Sequence, residues 1–120
     1  MTCTLAVNGS ETAIKSFLEN STLTPDNVYE THFVLLPSDR SLNNFEEQIQ
    51  DVILYLRKNG QEIRDLSTRF GLECERLDFA IAQSDEYVQS DVLPAELLFL
   101  AGSLGLDIQL SRYPVSNDDE

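Results

Sequence analysis

The run Leu93 to Tyr113, LPAELLFLAGSLGLDIQLSRY, constrains the fold more than any other stretch of the chain. It reads as a short helix, a glycine stop and an alternating strand. Pro94 suits the first helical turn, where its missing N–H costs nothing. Leu97, Leu98, Leu100, Ala101 and Leu104 follow at helical spacing and are apolar around more than half the circumference, which predicts a largely buried helix. Gly105 can take the left-handed conformation that closes it. Leu106, Ile108 and Leu110 then alternate with Asp107, Gln109 and Ser111, the period of a strand with one face on a core and one in water. Such a pair needs a sheet and a second apolar layer, and the upstream segments supply them.

Thr2 to Val7 is a short apolar and β-branched run ended by the turn dipeptide Asn8-Gly9, which predicts a first strand. Ser10 is a good N-cap, and Ala13, Ile14, Phe17 and Leu18 form one apolar face of a helix over 11–20. After a polar loop, Val28 to Leu36 reads as a second strand. Apolar residues on both of its faces predict a central position, or helices on one side and a partner on the other. Ser41 opens the longest helical pattern, Leu42, Phe45, Ile49, Val52, Ile53 and Leu56, which Asn59-Gly60 is expected to stop. Ile63, Leu66 and Phe70 continue as a shorter helix closed by Gly71, so the two form a bent pair. Leu72 to Ala82 is a third strand whose parity slips between Cys74 and Leu77. A β-bulge near Glu75-Arg76 reconciles the two phases. Residues 83–92 are an acidic loop with a short extra strand at Tyr87-Val88, and 116–120 an acidic, disordered tail.

The order β-α-β-α(α)-β-α-β, without repeat or linker, predicts a single α+β domain over 1–115. It is a two-layer sandwich with a four-stranded mixed or antiparallel sheet and helices on one face. A chain of 120 residues, 42% apolar, can bury such a core without staples.

Charge bears on partners. Twenty-one acids against eight Lys and Arg give a formal net charge of −13, beyond the magnitude of about 2–8 usual for a small domain. This argues against nucleic acid and anionic membrane, which require phosphate neutralisation by Lys and Arg. It favours a protein partner with a basic surface. Between Glu73 and Glu96 seven acids face Arg76 alone, which marks Glu73, Glu75, Asp78, Asp85, Glu86 and Asp91, with Tyr87 as an aromatic anchor, as candidate partner-binding residues. Tyr113 is a second candidate anchor. Cys3 and Cys74 read as buried free thiols unless their strands are neighbours, when a bridge becomes possible. With no signal-like opening and no apolar run near 18 residues, the expected location is the cytoplasm.

No reactive constellation emerges from the residue types. His32 is the single imidazole and has no ligand-spaced companions for a metal. Nothing in the spacing brings it to Cys3 or Cys74 as a base. The five glycines form neither a dinucleotide fingerprint nor a P-loop, so no cofactor is expected. Gly102, inside the last helix, marks a close helix–sheet contact or a tolerated glycine. Glu47 and Asp51 share a solvated helix face.

The ending LPAELLFLAGSLGLDIQLSRYP resembles the C-terminal portion of the bacterial family called domain of unknown function 4279. The opening LAVNGSETAIKSFL with the later Pro25, and the middle segment FEEQIQDVILYL, are similar to that family's first strand, glycine turn and helices. The resemblance implies a compact α+β domain and no established activity. In size and charge the chain also looks like the immunity proteins of bacterial toxin systems. The leading expectation is therefore a non-enzymatic acidic binding module of the immunity or inhibitor kind. The alternative is a small-ligand sensor or regulatory domain, its ligand held between sheet and helices or at a homodimer interface.

Overall fold

The computed structural model describes residues 2–85 and 88–114. Seven elements follow one another among them: β1 (Cys3–Asn8), α1 (Glu11–Asn20), β2 (His32–Ser38), α2 (Phe45–Thr68), β3 (Glu73–Gln83), α3 (Ala95–Ser103) and β4 (Asp107–Pro114). The fold is an α+β sandwich, its described residues forming one mixed four-stranded sheet and three helices. The sheet runs β2-β1-β3-β4, antiparallel except for the parallel β3/β4 pair. A parallel pair needs a crossover, and α3 is that crossover.

One face of the sheet makes the core. Cys3, Leu5 and Val7 of β1, Phe33 and Leu35 of β2, and Leu77, Phe79 and Ile81 of β3 are all buried beneath the helices. Phe17 of α1 stacks on Phe33 at 4.6 Å and meets Phe70 edge-on, while Phe45 meets Phe79 edge-on. The other face carries Thr4, Ala6, Asn8, His32, Val34, Asp78, Ala80 and Ser111, all part-exposed, with no helix over it among the described residues. Between Val7↔Cys74 and Leu5↔Leu77 the β3 strand carries one extra residue, so the bulge falls at Glu75-Arg76 as the parity slip predicts.

Three local expectations are corrected. The chain does not break at Asn59-Gly60: α2 continues for 24 residues to Thr68. Ile63 and Leu66 are buried on the same face as Leu56. Each is worth about 1.5–3 kcal/mol, against about 1 kcal/mol for a helical glycine. Asn59 keeps its place by donating to the Tyr55 carbonyl at 3.1 Å. The helix also starts late, at Phe45, because the Leu42 carbonyl accepts from Ala82 N (3.1 Å) and pads the sheet beyond the start of β1.

The second correction concerns β2, which is an edge strand and begins at His32. The preceding residues turn back through Asn27 (φ 41°), and Asp26 exchanges two hydrogen bonds with Val34 along the outer edge. Asn is among the few residues that tolerate this left-handed conformation.

The third is α3. Only Leu97 and Ala101 are buried; Leu98 is 49% and Phe99 73% exposed. A two-layer sandwich offers a helix one face to cover, so an apolar opposite face stays in water. Gly102 lies on that outward side, with nothing within 4 Å of the place a methyl group would take, so it marks no helix–sheet contact.

Candidate interaction surface

β3 is the element that distributes the acids named from sequence. Glu73 opens the strand opposite Asn8 in register, and Glu75 in the bulge accepts from Asn8 Nδ2 at 2.7 Å. Both are exposed. Asp78 lies mid-strand on the helix-free face, beside Thr4 in register, and accepts from Ser111 Oγ at 2.7 Å. Asp85 follows the far end of the strand and is exposed. Ten residue steps, about 33 Å of strand, separate Glu73 from the end of β3. The acids are therefore spread along the strand, Glu73 and Glu75 at one end, Asp78 in the middle and Asp85 past the other end, rather than gathered in one cluster. Glu86 and Tyr87 lie outside the described residues, as does the tail 116–120. Val88, the other half of the expected extra strand, belongs to no strand and is exposed. Tyr113 is half-exposed on β4, in register with Ala82.

Asp91 has a structural role. Its Oδ2 accepts from Arg112 Nη2 and from Gln89 Nε2, both at 3.1 Å, and its side chain is only 14% exposed. Gln89 also donates to the Ala82 carbonyl at 3.2 Å and accepts from Ser84 N at 2.6 Å. Gln89 and Asp91 are thus tied to the end of β3 and to β4. A glutamine two residues before an acid carries no recognisable signal, so this clamp is invisible in the sequence.

A groove of about 540 Å³ lies at the start of α2, lined by Arg40, Glu46, Glu47, Ile49, Asp51, Val92 and Pro94 among others. Arg40 bridges Glu47 (3.3 Å) and Asp51 (3.0 Å), and Ser38 Oγ also donates to Asp51. Burial raises the Asp51 pKa, but the bonds from Arg40 and Ser38 outweigh it and hold the carboxyl below the usual range. Glu47 and Asp51 therefore share a helix face as expected and are engaged by one arginine.

The chemistry-bearing side chains are kept apart. Cys3 and Cys74 face the core, whereas His32 sits on the opposite side of the sheet, stacked on Tyr29 at 4.3 Å. Burial and the Asp78 charge push the Cys3 thiol far up, and burial raises Cys74 to about 11. Their strands are neighbours, but Cys3 pairs with Phe79 and Cys74 with Val7. Four residues of strand, about 13 Å, then separate them, well beyond the Cα spacing of a disulfide. Among the described residues no group of three or more His, Cys, Asp or Glu is arranged to hold a metal ion. Nor, among them, is any helix long and apolar enough to cross a membrane.

One asymmetry stands out when charge is laid on the fold. From Leu77 to Ser111 the chain has six acids and no Lys, Arg or His. That run is most of β3, all of α3 and the first part of β4, with Arg76 and Arg112 flanking it on the two strands and Arg57 of α2 reaching α3 at Glu96. The class defined by these features is an acidic α+β sandwich with one bare sheet face and one base-free run. Compared with known proteins, the chain matches no family model, no curated protein and no solved structure.

Proposed function

We propose that this protein is a non-enzymatic, acidic protein-binding module that covers a basic surface on its partner, in the manner of an immunity or inhibitor protein of the cytoplasm. The supporting observation is the acid excess from Leu77 to Ser111, six acids and no base in sequence, of which only Asp91 and Glu96 are met by an arginine from outside the run, Arg112 and Arg57, among the described residues. A surface with a net acid excess of this kind steers an oppositely charged protein and acts chiefly on association rate and partner choice. The resemblance to domain of unknown function 4279 belongs to the same proposal and adds a fold expectation only.

The experiment is affinity capture of partners on the immobilised protein in low salt and in about 0.5 M salt, where the screening length falls to a few ångströms. Stopped-flow association with the captured partner follows. A variant carrying Asp85→Asn, Glu86→Gln and Asp107→Asn, all within that run, is expected to associate about tenfold more slowly. An association rate indifferent to both salt and these substitutions would reject the reading.

A further inference from the structure

We infer that the outward face of α3 is the seat of a basic amphipathic helix of the partner, an assignment that rests on the charge reading above. Ala95, Leu98, Phe99 and Gly102 recur at offsets of three, one and three and share the side of α3 turned from the core. Val92, 79% exposed, extends this strip toward the groove at the start of α2. Phe99 and Val92 are the most exposed large apolar side chains among the described residues. Apolar side chains that run past the covered stripe of a helix normally mark a second contact. Gly102 sharpens the point. Apart from its chain neighbours and its own helix backbone, nothing described lies within 4 Å of the place a methyl group would take, and alanine would favour the helix, yet glycine is the residue that admits a second backbone at close range.

Charge selects the occupant. The strip lies within the run that lacks any base, and Glu46 and Glu47 line the groove at its end. Arg40, which also lines the groove, is held by Glu47 and Asp51. Glu96 of α3 pairs with Arg57, but Asp85, Asp107 and Glu46 have no ion pair among the described residues. An apolar strip with Glu46 in the groove at one end and Asp107 just past the other fits a helix bearing apolar anchors on one face and Lys or Arg toward its ends. A second copy of this chain fits poorly, because a two-fold contact would set the base-free run against itself.

The probe is a synthetic amphipathic peptide of about eighteen residues built from Leu and Lys, long enough for several turns on the strip. Its counterpart with Glu in place of Lys is the control. Titrations are followed by anisotropy and by amide shifts of the labelled protein. The Lys peptide is expected to bind in low salt and shift the amides of Val92 to Gly102, the Glu peptide to leave them in place. Phe99→Glu should weaken binding about thirtyfold while leaving the fold intact, the loss typical of a central aromatic anchor. Shifts confined to the bare sheet face, with Phe99→Glu silent, would overturn this seat and leave the acid-driven reading standing. Absence of Lys-peptide binding in low salt would overturn both. Equal binding of the two peptides, or self-association in sedimentation that Phe99→Glu abolishes, would overturn the basic helix as occupant.

Discussion

Gly60→Ala puts the continuity of α2 to a test of sign. Gly60 lies inside a helix that runs from Phe45 to Thr68, its backbone is outside the left-handed region, and a methyl group there meets nothing within 4 Å. Alanine should therefore stabilise by about 0.8–1 kcal/mol, the intrinsic difference between the two residues in a helix. If the helix stopped at Asn59-Gly60 instead, with Gly60 as a left-handed cap, the same change would cost about 1 kcal/mol or more. The two arrangements thus differ by about 2 kcal/mol, well above experimental error. Gly71 supplies the internal control: its φ of 65° makes Gly71→Ala destabilising by roughly 1–2 kcal/mol although the space around it is open. The assay is urea unfolding followed by far-ultraviolet circular dichroism. With a slope of about 1–3 kcal/mol/M, Gly60→Ala should raise the midpoint by roughly 0.3–1 M and Gly71→Ala should lower it. A lowered midpoint for Gly60→Ala at unchanged slope would refute the single 24-residue helix.

Three further expectations concern the core. Gln48 is fully buried and its Nε2 donates to the carbonyls of Ser41 (3.1 Å) and Ala80 (2.9 Å), while its Oε1 has no partner among the described residues. Gln48→Leu should cost about 1–2 kcal/mol, because two buried carbonyls lose their donor, partly offset by removal of the orphaned oxygen; increased stability in urea would show that the oxygen's penalty dominates. Burial raises Tyr55 from 10.0 to about 12 and Cys74 from 9.0 to about 11, so the folded state holds these protons more tightly than the unfolded one. The stability they contribute is complete below about pH 9 and is lost as pH rises through about 11 and then 12. Urea midpoints measured across that range should fall, and a level midpoint would remove burial as the cause. At neutral pH the fully buried Cys3 thiol should react with a disulfide reagent only after unfolding, whereas part-exposed Cys74 should react slowly in the folded state.

Much of the fold was legible because its causes are local. The alternation in Leu106–Leu110, the Ser10 cap, whose Oγ accepts from Ala13 N, and the left-handed Gly71 and Gly105 all express periodicity or backbone preference within a few residues. Even the bulge at Glu75-Arg76 showed, since inserting one residue inverts the parity of everything after it. The absence of any base from Leu77 to Ser111 is likewise a property of the chain itself.

Other features depended on what lies beside each element. Whether Gly60 ended a helix turned on Ile63 and Leu66 finding the same sheet as Leu56. The place of β2 at the edge, and its late start, followed from Asp26 folding back on Val34. Leu98 and Phe99 read as core residues, yet which side of an apolar helix is covered is settled by the number of layers, and this protein has two. The acids of β3 looked like one cluster because they are close in sequence, but an extended strand carries neighbours in sequence far apart in space. Local backbone chemistry acts over a few ångströms and is written in the residues themselves; burial and charge are shared across the whole molecule, so their outcome exists only once the layers have met.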